Sequence, residues 1–114
     1  STTGETNDVT LNSPATGLHG VVGGGDALDV LTSDAAGTTT IDTVSVTAAV
    51  LDFDDAVELD VDTTLVGTTS VDFASTLDST AGNTNDLTLN SPTTGLHGVV
   101  GGGDALDVLY QAKK

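Results

Sequence analysis

The chain has no cysteine, methionine, tryptophan or arginine among its 114 residues. Without cysteine it has no disulfide framework and no thiolate metal site. Its aromatics are Phe53, Phe73 and Tyr110. A core built from this sequence therefore cannot draw on the large rings and thioethers that fill ordinary globular interiors. Cations are almost as scarce: two lysines, Lys113 and Lys114, face 17 acidic residues, giving a formal net charge of −15. Nucleic acid and anionic membrane surfaces are held by distributed Lys and Arg, so neither is a partner on this composition, and phosphate chemistry that needs a basic clamp is excluded with them. No apolar run approaches the roughly 20 residues of a membrane-spanning helix. No signal-peptide pattern begins at Ser1, so a secretion signal is expected to lie outside this sequence or to have been removed.

Small and branched residues take the place of the missing ones: 21 Thr, 14 Val, 14 Gly, 13 Leu and 11 Ala. Val and Thr suit a pleated, half-buried surface, and Gly, Asn-Asp and Ser-Pro clusters suit the turns between strands. The dominant feature is a repeat. Ser1–Leu31 aligns with Ser79–Leu109 with four differences: Thr3/Ala81, Glu5/Asn83, Val9/Leu87 and Ala15/Thr93. The unit runs from Ser1 to Asp78. The chain holds that whole unit (1–78) and part of a second (79–109), followed by a short tail (110–114).

Apolar residues recur on alternate positions: Val9/Leu11, Leu28/Val30, Val44/Val46, Leu51/Phe53, Val57/Leu59/Val61, Val71/Phe73 and Leu87/Leu89. Each group puts its side chains on one face of a short strand. Turn signals separate them at Asn12-Ser13-Pro14, Gly23-Gly24-Gly25, Ala36-Gly37, Gly67 and Ala81-Gly82-Asn83. Ala48–Val61 also carries apolar residues at helical steps, but its alternate spacing and valine content favour two strands joined at Asp54-Asp55. A long unit of short strands written nearly twice predicts an all-β fold. The expected architecture is a parallel β-helix (β-solenoid) with several turns per repeat and one domain over positions 1–109. The expected inward positions are Val9, Leu11, Leu28, Val30, Val44, Val46, Phe53, Leu59, Val71, Phe73, Leu87 and Leu89. Like residues are expected to stack on like.

The segments "DVTLNSPATG", "TTIDTVSVTAAVLDFDDAVEL", "DTTLVGTTSVDFASTLDS" and "NDLTLNSPTTG" resemble the β-strand repeats of large bacterial surface proteins of the filamentous-haemagglutinin and autotransporter adhesin type. The resemblance implies a right-handed parallel β-helix on the cell exterior and no catalytic residues. Asp52, Asp54, Asp60 and Asp62 stand where such repeats often have Asn or Gly.

Candidate chemistry is sparse. "GGDALDVLT" (Gly24–Thr32) partly matches the calcium nonapeptide of β-rolls, which makes Asp26 and Asp29, with Asp104 and Asp107 in the second copy, weak calcium candidates. Ala27 replaces the third glycine, and the second copy begins only at Gly102 instead of following in tandem, so no cofactor is expected. The carboxylates from Asp52 to Asp62 fail the EF-hand pattern, with Val57 at the sixth position and Thr63 at the twelfth, and read as a solvated strand face. His19 and His97 occupy equivalent "GLHG" sites, too few for a metal. No Gly-x-Ser-x-Gly surrounds a serine, and no enzyme activity is expected.

The near-identical ends suggest self-pairing. The expectation is a non-catalytic structural repeat of an extracellular filament, stalk or adhesin. It associates head to tail with itself or with neighbouring repeats through Val9, Leu11, Leu28, Val30, Leu87, Leu89, Leu106 and Val108. The alternative is a module whose solenoid face binds carbohydrate or a host protein surface.

Overall fold

A computed structural model describes residues 1–112; Lys113 and Lys114 of the expected tail lie outside the described residues. The chain is an all-β solenoid with eleven short strands and no helix among these residues: β1 (Val9–Leu11), β2 (Ala15–Leu18), β3 (Leu28–Ser33), β4 (Thr38–Ile41), β5 (Ser45–Phe53), β6 (Ala56–Leu59), β7 (Thr63–Phe73), β8 (Leu77–Ser79), β9 (Leu87–Asn90), β10 (Thr94–Leu96) and β11 (Leu109–Ala112). Ala48–Val61 forms strands β5 and β6, with the break at Asp54-Asp55. Strand β11 carries the solenoid through Tyr110 and Gln111 to Ala112, past the boundary read from the repeat.

All pairings are parallel, in a seven-stranded sheet and a four-stranded sheet. The larger sheet turns a corner. The first half of β7 pairs with β9 through Thr63–Val66, and its second half pairs with β10 through Val71–Phe73. β5 has a register shift between Ala48 and Val50 at the same corner. The result is a three-sided coil whose sides can be followed as three ladders. Ladder one runs Val9–Leu31–Leu51–Val71–Thr94. Ladder two runs Thr16–Thr39–Val57–Leu77–Val100. Ladder three runs Val22–Val46–Leu65–Leu89–Gln111. The chain visits one, two and three in that order, five times.

The core is thin and continuous. Ile41, Val46, Leu51, Phe53, Val57, Leu59, Leu65, Val71, Leu77, Leu87 and Leu89 lie within 1% of full burial, and Phe73 stacks on Phe53 with ring centroids 5.3 Å apart and planes 15° apart. Val9 and Leu11 pack partly buried against this core. Two expected core positions are corrected. Val44 is 64% exposed, because the chain turns between β4 and β5 and turns Thr43 inward instead. Val30 is only half-buried, because it sits at the corner opposite Val50, where one extra residue resets the alternation so that Leu28 and Leu31 both face inward.

The copies do not lie above one another. Leu11 belongs to ladder one, opposite Ser33, whereas its counterpart Leu89 belongs to ladder three. Thr16 on ladder two has its counterpart Thr94 on ladder one, and Val22 on ladder three has Val100 on ladder two. From Leu11 the chain makes three turns, through Ser33 and Phe53 to Phe73, and then passes two further sides to reach Leu89. The repeat unit thus advances the solenoid by three and two-thirds turns, about 21 residues per turn. Like stacks on like at some positions, as at Phe53/Phe73 within the unit and Leu65/Leu89 between units, and not at others, as at Ser33/Phe53 and Thr63/Leu87.

The local structure survives the change of side. Val9↔Leu31 recurs as Leu87↔Leu109. Asp29 N–H donates to Asn7 O at 2.9 Å, and Asp107 N–H donates to Asn85 O at 3.0 Å. Gly23 and Gly101 both hold the left-handed backbone region at φ 70° and 71°, a conformation open to glycine at little cost.

Candidate functional site

The polar chemistry of the molecule sits at the corners, between successive turns. Asp55 interrupts the alternation at the bend between β5 and β6 and is 1% exposed. Its carboxylate accepts hydrogen bonds from Ser33 Oγ at 2.6 Å and Thr39 Oγ1 at 2.8 Å, both one turn below. A buried carboxylate is tolerated only with such partners. Ser33 Oγ also accepts the Asp54 N–H at 3.2 Å, so the bend and the turn beneath it are tied at one point. Asn85, buried as well, donates to Leu59 O at 2.7 Å, and Thr63 Oγ1 donates to Thr43 O at 2.9 Å. These fasteners were missed in the sequence, where Asp55 read as a bend and Thr63 entered only as the residue that breaks the EF-hand pattern. The one available signal was a carboxylate that breaks the apolar alternation with no lysine or arginine nearby.

Two outward carboxylates, Asp52 and Asp72, are neighbours in one row. Thr10, Thr32, Asp52, Asp72 and Gly95 follow one another up the ladder. Partial burial raises Asp52 above the ordinary carboxylate value of 3.8, helped by the charge and hydrogen bond of Asp54 and the charge of Asp72 on the next turn. The two histidines are joined to this surface differently. His19 Nδ1 lies 3.2 Å from Asp42 Oδ2 on the turn above, and His97 Nε2 lies 2.8 Å from Asp72 Oδ1 on the turn below. A side chain at position 95 would collide with Asp72 and His97, so Gly95 is what lets that pair meet across it.

The weak calcium candidates are spread over separate corners. Asp26 and Asp104 give their carbonyls to the N-terminal amine of Ser1 at 3.1 Å and to Ser79 N–H at 2.9 Å. Asp29 and Asp107 are exposed. Among the described residues, no three His, Cys, Asp or Glu side chains gather closely enough to hold a metal ion. Ser13 Oγ donates to Ala15 O at 2.9 Å within its own turn, and His19 is engaged with Asp42, so these two side chains are used separately. A shallow open depression of about 430 Å³ lies beside His19, lined by Ala15, Thr16, Gly17, Thr38, Thr40 and Glu58.

The residues expected to mediate self-association do not form one surface. Val9 and Leu11 lie on β1, which pairs with β3 alone among the described strands. Leu28 is buried and Val30 half-buried. Leu87 and Leu89 are interior, lying between β7 and β11 with 0% and 1% exposure. Leu106 packs partly against the core, and Val108 is 48% exposed. The last turn is the apolar end of the molecule, with Leu96, Val99, Val108, Leu109 and Tyr110 all exposed.

No family model matches the chain, and no curated protein and no solved structure matches it.

Proposed function

We propose that the chain is a non-catalytic structural repeat of an extracellular bacterial filament, stalk or adhesin, which lengthens by end-to-end association of like units. The observation that carries this reading is the equivalence of the sides. The same sequence keeps its internal register, its glycine turns and its corner hydrogen bonds on a different side of the coil. A unit that fits any side can follow another indefinitely, as repeat arrays require. The net charge of −15 keeps such arrays apart sideways by like-charge repulsion. A sugar-binding face is less well supported, because Phe53 and Phe73 are enclosed in the core and Tyr110 is the single exposed aromatic.

Light scattering and electron microscopy across concentration and salt test the reading. Repulsion from the charge of −15 is screened over about 8–10 Å at 0.1–0.15 M salt, so particles lengthen without thickening as salt rises. Strictly monomeric behaviour at high concentration and in molar salt rejects it.

A further inference from the structure

We infer that the upper rim of β7 and β8 is an acceptor for the segment Ser1–Leu31 of another copy of this chain, and that Ser79–Leu109 is its built-in occupant. The inference rests on the array reading and says which surfaces meet.

The second copy sits on a defined platform. Leu87, Thr88, Leu89 and Asn90 pair with Thr63, Thr64, Leu65 and Val66. Thr94, Gly95 and Leu96 pair with Val71, Asp72 and Phe73, and Val100 with Leu77. The corresponding residues of the first copy are Val9, Thr10, Leu11, Asn12, Thr16, Gly17, Leu18 and Val22, identical except for Val9 in place of Leu87. In the first copy the described residues leave that underside unpaired, since β1 pairs with β3 alone and β2 with β4 alone. One segment is therefore seated on the platform, and a second of nearly the same sequence is in the same conformation with no described strand on the matching side.

The polar contacts carry over as well, with one exception. The second copy holds the platform through Asn85 Nδ2 to Leu59 O at 2.7 Å, Asp86 N–H to Asp62 Oδ1 at 2.9 Å, His97 Nε2 to Asp72 Oδ1 at 2.8 Å and Gly103 N–H to Asp78 Oδ1 at 3.2 Å. Asn7, Asp8, His19 and Gly25 supply the same groups in the first copy. His19 keeps Asp42 of its own chain through Nδ1 and offers Nε2 to the acceptor's Asp72, so one imidazole spans the joint. The exception is Asn83, whose Nδ2 donates to Asp60 Oδ1 at 3.2 Å. Its counterpart is Glu5, which brings a carboxylate against a carboxylate. Glu5 thus opposes exchange, and the tethered copy wins at low concentration through its high effective concentration.

The joint differs from simple contact between the two end faces. The segment naturally lying above Thr16–Leu18 is β4, so nothing within the molecule resembles β1 seated on the top of the second copy. Seating on β7 and β8 reproduces pairings already present, and the displaced occupant makes this a segment exchange between identical chains.

The chain lacks cysteine, so single cysteines report the joint cleanly. Thr64→Cys and Thr10→Cys chains are mixed at high concentration under mild oxidation. Thr64→Cys/Thr88→Cys in one chain serves as a control that this ladder geometry closes a bridge, since parallel neighbours lie about 4.8 Å apart, within disulfide reach. The expected result is a 64–10 cross-linked dimer whose yield rises with concentration and rises about two- to fivefold when Glu5→Asn is added to the Thr10→Cys chain. Two results overturn the inference: no 64–10 dimer while the control bridge forms, or cross-linking of Thr10→Cys to Tyr110→Cys in place of Thr64→Cys. Either can occur while salt-dependent growth persists, in which case the array reading stands and this joint falls.

Discussion

At the scale of single residues, the thin core makes the loss of any large side chain strongly destabilising. Phe73 is 1% exposed and covers Phe53 of the turn below. Phe73→Ala leaves a cavity between two turns with few bulky neighbours to collapse into it, and a loss of about 3–5 kcal/mol is expected in denaturant unfolding. A loss under about 1 kcal/mol contradicts the stacked-ring core. Asp52 acts in the opposite sense. Its folded-state pKa is raised above 3.8 by burial, Asp54 and Asp72, so the protonated form favours the fold. That contribution is complete below pH 3.8 and is lost as pH rises through the higher folded value. Asp52→Asn removes the cost and should melt above the parent protein at pH 7, with the gap closing in acid. An Asn variant that melts lower at pH 7 contradicts the assignment. Phe73 could be read from alternation with Val71. The buried Asp55 could not, because its partners Ser33 and Thr39 lie 22 and 16 residues away and only the turn length brings them together.

At the scale of elements, alternation located most strands and failed at the corners. Leu28/Val30 looked like one strand face, but β3 crosses a corner between them and the next inward residue is Leu31. Ala48–Val50 shows the same reset in β5, whereas β7 takes one residue more through the corner, so that Gly67 and Val71 face inward with Thr68 and Thr69 exposed between them. A period of two carries no mark of a corner that inserts a single residue and keeps the strand going. The terminal element depends on one ladder. Leu87 N–H donates to Val108 O at 2.8 Å, just before β11 pairs with β9. Leu87→Pro deletes that donor and crowds the strand. Hydrogen exchange is expected to show lost protection at Leu109–Gln111 with β3 and β5 unchanged, and uniform protection throughout contradicts the account.

At the scale of the whole molecule, the sequence displayed the long period, with Ser79 restarting what Ser1 begins, but not its relation to the coil. The turn length varies: the step from Thr38 to its partner Ala56 is clearly shorter than the step from Thr63 to Leu87, so no shorter period could be counted from the residues. The ladders supply the missing relation: each unit ends two-thirds of the way round. Units in an array therefore present each chemical group, such as the His19/His97 imidazole, on each side in turn, and a side recurs only after three units and eleven turns. The most direct test is electron microscopy of a tandem array of this unit, with the helical symmetry determined. The account predicts an axial rise of about 18 Å per unit, at about 4.8 Å per turn, and a rotation of about one-third of a revolution between successive units. Units related by translation alone, with a whole number of turns each, would contradict it.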